Sequence, residues 1–225
     1  ADLVRLLLRE TEVARLRLSS VEPMDFSDDL LELMASEPRI ARHVHAPLQT
    51  GSDRILRLMH RKYRPRHYAD RVLKARRLMP DAAIGADVMV GFPGETDADF
   101  EENRRFIAEM PFTYLHVFTY SERPGTPAAA AAGQVPMPLR KERNRILREL
   151  AAEKNAAFRG SMVGKRLSVV TLEEERAALS GNYLKVELAA PRPANLLIDV
   201  EIGGVGQTSL REVTSPAALP VLSIS

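Results

Sequence analysis

The chain has 225 residues, a net charge of +2 and 45% hydrophobic residues, enough apolar material for one ordinary domain and a second small one. It contains no cysteine, which excludes disulfides, thiolate metal sites and cysteine nucleophiles within these residues. No run approaches the roughly 20 uncharged apolar residues of a membrane-spanning helix, so a soluble protein is expected, and the near-neutral balance does not by itself declare a nucleic-acid partner.

The N-terminal ADLVRLLLRETEVARLRL threads charges through its apolar positions and has no small-residue cleavage site. It reads as an amphipathic helix running into a strand, not as a signal peptide. With no initiator Met, the chain is expected to begin inside a longer protein. From there to about residue 120, short apolar or β-branched runs alternate with helical periodicities, the pattern of βα units on a parallel sheet.

The spacing predicts strands at Arg15–Leu18, Arg42–Ala46, Ala83–Val90 and Tyr114–Tyr120. Ser27, Asp28 and Asp29 mark the start of a helix that Pro38 ends. Ser52 caps a helix running through Met59, and Pro65 opens another running to Met79, since Pro at the first helical position loses no hydrogen bond. Thr96 with Asp99 forms a capping box for a helix ending near Met110.

Ser121–Pro138 is rich in Ala, Pro and Gly and reads as an extended surface connection. A long polar helix follows over Leu139–Phe158, with a narrow apolar stripe of Leu139, Ile146, Leu147 and Leu150. After Gly164 helical periodicity stops, and short strands are predicted at Leu167–Leu172, Tyr183–Leu188, Leu196–Glu201 and Gln207–Val213, a small all-β barrel or sandwich. The tail after Thr214 has no pattern and is expected to be poorly ordered.

Each of the first four strands ends in an unusual polar or Gly/Pro sequence, and parallel α/β folds bind ligands beyond the carboxyl ends of their strands. SSVEP offers Ser20 and Glu22; alternation sends only one of its two serines to the site. PLQTGSD places the Gln49 amide before a turn and a helix N-terminus, with Ser52 and Asp53 reading as caps. In GFPGE, Gly91 and Gly94 let the backbone approach a flat ligand while Phe92 offers a ring face, with a plain tight turn as the alternative.

His43 and His45 share a strand face, as a metal pair would, but no third ligand stands at familiar spacing. Interior packing or substrate contact is the better reading, and no metal residue is assigned. Arg61 in MHRKY is suited to a carboxylate. Lys62 and Arg64 belong to a stretch, Arg57–Arg77, with nine Lys or Arg against a single acid, Asp70, which suits phosphate or a solvated surface equally. GNYLKV sets Tyr183 and Lys185 alternating with Leu184 and Val186, the stacking-plus-charge pattern by which small barrels hold single-stranded RNA, or an ordinary edge strand.

Taken in order, RLSSVEP, HVHAPLQTGSDRILRLMHRKY, IGADVMVGFPGETDADFEE and LHVFTYSERPGTPAA resemble the second half of a radical S-adenosylmethionine methylthiotransferase barrel. GNYLKVEL resembles the TRAM domain that follows that barrel. The resemblance implies an α/β fold: a partial radical-SAM (β/α) barrel over residues 1–136, a connecting helix over 137–160, an OB-like all-β TRAM barrel over 161–214 and a tail over 215–225. SSVEP and LHVFTYSERPGTPAA with the following QVP resemble most closely the subfamily acting on threonylcarbamoyladenosine beside the tRNA anticodon. Isopentenyladenosine enzymes and those modifying a ribosomal-protein aspartate typically differ there.

The resemblance implies a cytoplasmic transferase that uses S-adenosylmethionine and [4Fe-4S] clusters, with the anticodon stem-loop of tRNA as partner and no membrane. The family's cluster-binding segments, an N-terminal methylthiotransferase domain and a CxxxCxxC loop, are not among these residues, so the isolated chain is expected to be inactive, or to act as a tRNA-binding fragment. By resemblance Ser20, Glu22, Gln49, Arg61, Asp87, Gly91, Phe92, Pro93, Gly94, Glu95 and Tyr120 would complete the cofactor pocket. Lys62, Arg64, Arg143, Lys165, Arg166, Asn182, Tyr183 and Lys185 would meet RNA.

Overall fold

The charge-threaded N-terminus forms helix α1, Asp2–Glu10, whose Val4 and Leu8 are buried while Leu3, Leu6 and Leu7 stay exposed. In the computed structural model, which describes residues 1–214, α1 belongs to a first unit, Ala1–Phe158, and a second unit begins at Arg159. The tail expected to be poorly ordered lies outside the described residues.

The first predicted strand is reduced to one parallel bridge, Leu16 with Ile40. Leu16 donates to the Arg39 carbonyl and accepts from Ala41, both at 2.8 Å. A bend at Arg42 interrupts the pairing, which resumes only as a single bond from the Val21 amide to the His45 carbonyl at 3.1 Å. Helix α2, Asp28–Ser36, starts where Ser27 Oγ accepts from the Leu30 amide at 3.1 Å.

Strands β1 (His43–His45), β2 (Ala83–Val90) and β3 (Tyr114–Thr119) form one parallel sheet with β2 in the centre. The register sets His45 against Gly85, Gly85 against Tyr114, and Asp87 against His116. The crossovers are helical, as parallel pairing requires: α3 (Asp53–Leu58) and α4 (Pro65–Leu78) between β1 and β2, and α5 (Asp97–Glu109) between β2 and β3. The capping box of Thr96 and Asp99 is formed.

Ile84, Ala86, Val88 and Val90 of β2 are fully buried together with Tyr68, Val72 and Ile107. One face of the sheet therefore carries the core. Strand alternation commits Gly85, Asp87 and Met89 to the other face.

The Ala/Pro/Gly segment is more than a connection. It contains a short helix α6, Pro127–Ala130, and the Gly133 carbonyl accepts from the Gly94 amide at 2.8 Å. Helix α7, Met137–Gly160, follows. Its Leu147 enters the core with Ile146 and Leu150 packed beside it, whereas Leu139 is exposed.

The second unit holds a closed five-stranded barrel in the order β4-β5-β6-β8-β7, with β4 Arg166–Thr171, β5 Ala177–Ser180, β6 Lys185–Glu187, β7 Leu197–Val205 and β8 Leu210–Glu212. Closure removes the exposed edges that a small open sheet would present. Val169, Ala178, Val186, Val200, Ile202 and Leu210 fill the interior. Strand β5 had no sequence signal, because Ala and Ser carry little strand preference. The predicted strand at Tyr183 begins only at Lys185, since Tyr183 sits in a turn with φ 64° and its amide returns to the Ser180 carbonyl.

Candidate cofactor-binding site

The face of the sheet opposite the core carries its side chains in three levels. Deepest is Tyr114, whose ring lies over Gly85: a Cβ at Gly85 would meet that ring at 1.9 Å. The Tyr114 hydroxyl lies 2.7 Å from His43 Nε2 and 2.8 Å from His45 Nδ1. His43 Nδ1 is 3.2 Å from the Leu18 carbonyl. Burial pushes the His43 imidazole down to about 4, so it is uncharged at neutral pH.

At the middle level Asp87 Oδ1 lies 3.2 Å from His45 Nε2 and 3.1 Å from His116 Nδ1. His45 is buried, Asp87 half-buried and His116 exposed.

At the top, beyond the carboxyl ends of β1 and β2, a cavity of about 630 Å³ opens, a size that suits a nucleoside-containing ligand. Its walls are Gln49, Met89, the α3 end with Met59, His60 and Arg61, the turn Phe92–Gly94, and Thr126–Ala128 with Ala131 and Ala132. Two wall residues, Gln49 at φ 65° and His60 at φ 55°, are non-glycines in the left-handed region, which costs roughly 1–2 kcal/mol each. Hydrogen bonds hold them there. Gln49 donates to the Asp87 carbonyl at 2.8 Å and accepts from Met89 at 2.7 Å, and His60 donates to Arg57 at 3.0 Å. Strain concentrated on one cavity is what a shaped binding site shows.

Of the residues predicted for the cofactor, Gln49, Arg61, Phe92, Pro93 and Gly94 line this cavity. Arg61 Nη1 lies 3.4 Å from Glu22 Oε1, so SSVEP and MHRKY meet as a charge pair at its edge. Ser20 is exposed and outside the wall. Asp87 sits one level below, with the histidines.

Gly91 and Tyr120 support the turn from behind. Gly91 has φ 76°, and a Cβ there would strike the Arg140 side chain at 2.4 Å. Tyr120 is buried, its ring 5.6 Å from Phe92 edge-on and 5.2 Å from the Arg140 guanidinium. Neither is a wall residue.

Glu95 and Arg143 correct the sequence reading together. Arg143 Nη1 donates to Glu95 Oε1 at 2.6 Å, and the two side chains are 3% and 1% exposed. A side chain so buried cannot reach RNA. Glu95 also accepts from the Gly91 amide at 3.0 Å, so it braces the turn from within. Burial pushes its carboxyl up, against the pull of Gly91 and Arg143.

Asn182 is likewise a correction: it is buried, its Oδ1 accepting from Ser180 Oγ at 2.6 Å, and it fixes the turn before β6. The Arg64 guanidinium is engaged by the Arg61 and Tyr63 carbonyls at 3.0 and 3.1 Å and by Asp53 at 3.4 Å. Lys62, Arg166, Tyr183 and Lys185 are exposed and Lys165 is half-buried; Arg166 lies 3.7 Å from Asp199. Sequence reasoning missed Met89, Met59 and His60. The strand alternation at Met89 was the available signal.

Among the described residues no helix is long and apolar enough to cross a membrane. Residues 1–107 match the model of the Radical SAM superfamily. The chain is 47% identical over 165 residues to a tRNA-2-methylthio-N(6)-dimethylallyladenosine synthase of Thermobifida fusca, covering 72% of this chain and 33% of that protein. To the synthase of the same name from Thermus thermophilus it is 35% identical over 223 residues, covering 93% of this chain and 48% of that one. It thus spans half or less of the length of these relatives. Among solved structures, coproporphyrinogen III oxidase from Escherichia coli, a radical SAM enzyme, shares the fold with a TM-score of 0.55 at 16% identity, over 82% of this chain and 50% of that one.

Proposed function

We propose that the chain forms the S-adenosylmethionine pocket and RNA-holding part of a tRNA methylthiotransferase, a reading supported by the match of residues 1–107 to the Radical SAM superfamily model and by similarity over most of the chain to synthases named for a tRNA modification. The observation that carries the reading is the cavity at the strand ends, with strained Gln49 and His60, the ring of Phe92 and the charge of Arg61 on its wall.

The residues present fit the cofactor. The half-exposed Phe92 offers a flat apolar face for an adenine, with Gly94 keeping the backbone beside it free of a side chain. Arg61 offers a guanidinium to the methionyl carboxylate, displacing the weak contact with Glu22. Gln49 presents a donor and an acceptor between them. When bound, S-adenosylmethionine supplies the radical precursor and the methyl group of methylthiolation.

An iron–sulfur cluster does not fit these residues, since none of the 225 is a cysteine, and no step through a cluster is assigned to them. What this chain does is bind, orient and shield. Thr126, Pro127, Ala128, Ala131 and Ala132 would wall the ligand on one side. In the second unit the closed barrel, read as a TRAM domain, offers Tyr183, Lys185, Arg166 and Lys165 to RNA, with Lys62 of the first unit as a further phosphate contact.

The relatives' names point to a dimethylallyl group on the target adenosine. A second reading, threonylcarbamoyladenosine beside the anticodon, is favoured by SSVEP and LHVFTYSERPGTPAA. Equilibrium dialysis of the chain against S-adenosylmethionine tests the pocket: saturable binding that Arg61→Ala weakens roughly tenfold supports it, and absence of saturable binding removes it. Competition between anticodon stem-loops carrying the two modified adenosines decides the substrate.

A further inference from the structure

His45, Asp87 and His116 come from three different strands, yet their ligand atoms all lie within 4.8 Å of one another. Two imidazoles and a carboxylate are the donor set that divalent zinc and non-haem ferrous iron take with coordination positions left open. With metal–ligand bonds of about 2.0–2.1 Å, tetrahedral geometry separates neighbouring ligand atoms by about 3.3 Å. The pairs here stand at 3.2 Å, His45 Nε2 to Asp87 Oδ1, and 3.1 Å, His116 Nδ1 to Asp87 Oδ1.

The neighbouring contacts orient the set. The Tyr114 hydroxyl lies 2.8 Å from His45 Nδ1 and 2.7 Å from His43 Nε2, so His45 is engaged through Nδ1 on the side of Tyr114 and its Nε2 is the ring nitrogen that faces Asp87 Oδ1, 3.2 Å away.

The contact with Tyr114 also fixes the His45 ring plane, the supporting role that outer partners of metal-bound histidines play. Gly85 permits it, because any side chain there would occupy the space of the Tyr114 ring. Access is open from the His116 side, which is exposed.

We propose that His45 Nε2, Asp87 Oδ1 and His116 Nδ1 form a binding site for one divalent first-row transition metal ion, on the sheet face beneath the cofactor cavity. The site is separate from any cluster, since it uses no thiolate, and it stands whether or not the cavity takes S-adenosylmethionine. With three protein ligands it leaves room for a water or a substrate oxygen.

The test uses the 225-residue chain freed of metal with a chelator and titrated with Co²⁺, whose visible absorption reports its ligands, followed by Zn²⁺. The site predicts one-to-one Co²⁺ binding that Zn²⁺ displaces. Asp87→Asn, which keeps the side-chain shape, and His116→Gln, at an exposed position, each weaken binding roughly tenfold or more. Tyr114→Phe weakens it by about tenfold through His45. His67→Gln, on the surface of α4, leaves it unchanged. Far-UV circular dichroism establishes that each variant is folded. If the unsubstituted chain binds no Co²⁺ saturably, or if Asp87→Asn and His116→Gln both bind as it does, a proton fills the gap at His45 and the metal site is wrong.

Discussion

Arg143, on the long helix α7, meets Glu95, in the turn after β2, at 2.6 Å in a pair with almost no solvent contact. Forty-eight residues separate them. The pair ties the helix that ends the first unit to the turn that shapes the cavity. Removing Arg143 leaves the Glu95 carboxyl buried without its cation, and breaking a buried pair in this way typically costs about 3–5 kcal/mol. Arg143→Met should therefore unfold at lower denaturant, and Arg143→Met with Glu95→Leu should recover part of the loss. Urea unfolding of the single and double variants measures both; a single variant as stable as the parent would show that the pair is not a brace.

Asp99 gives the fold an acid limit. Burial alone would raise its carboxyl, but hydrogen bonds from Arg54, Thr96 and Ser52 outweigh it and hold it well below its ordinary 3.8. Its folded form binds a proton less readily than the unfolded chain, so it adds stability above pH 3.8 that is lost as the pH falls further. Asp99→Asn should be less stable than the parent at pH 7 and should lose less on acidification below pH 4. Thermal unfolding across that range reads the difference.

Gly85 tests the layered face directly. Its missing Cβ is the room in which the Tyr114 ring sits. Gly85→Ala forces a rigid ring or the strand itself to move, and overpacking of this kind costs about 1–3 kcal/mol or more. Gly204→Ala, where a Cβ would meet nothing within 4 Å, is the comparison. The first should lower the melting temperature clearly more than the second.

Local signals were the legible ones. Ser27, Ser52 and Thr96 each cap the helix that the sequence assigned to them, because a cap is decided within three residues. The boundaries of β2 could be read directly because β-branched and apolar residues fill Ala83–Val90 between turn signals. The first strand is reduced for a tertiary reason: its contacts with the neighbouring segment, at Leu16 and at Val21, are separated by the bend at Arg42 and never form a continuous ladder. His43 and His45 were seen to share a face, but the third and fourth members, Asp87 and His116, stand on other strands. Only the register of three parallel strands brings them together, with Asp87 level with His116 and His45 two residues below, beside Gly85 and Tyr114. Likewise Arg143 was assigned to RNA by resemblance, and its partner Glu95 stands too far away in sequence to signal the buried pair.

Tyr183 and Lys185 carry the test of the barrel. Tyr183 is 42% exposed, although a ring of its size gains by burial. The turn that presents it holds it at φ 64°, fixed by buried Asn182 and Ser180. Lys185 begins β6 two residues on, with its side chain exposed. An aromatic face beside a cation on a closed small barrel suits single-stranded RNA, where each stacked base is worth about 1–3 kcal/mol. Tyr183→Ala should weaken binding of an anticodon stem-loop about 5- to 150-fold at fixed salt. Lys185→Ala should weaken it less and flatten the dependence of log affinity on log salt by just under one, the signature of a lost phosphate contact. The two effects separate stacking from charge. If Tyr183→Ala changes nothing while Lys185→Ala flattens the slope, the barrel holds RNA by its backbone alone.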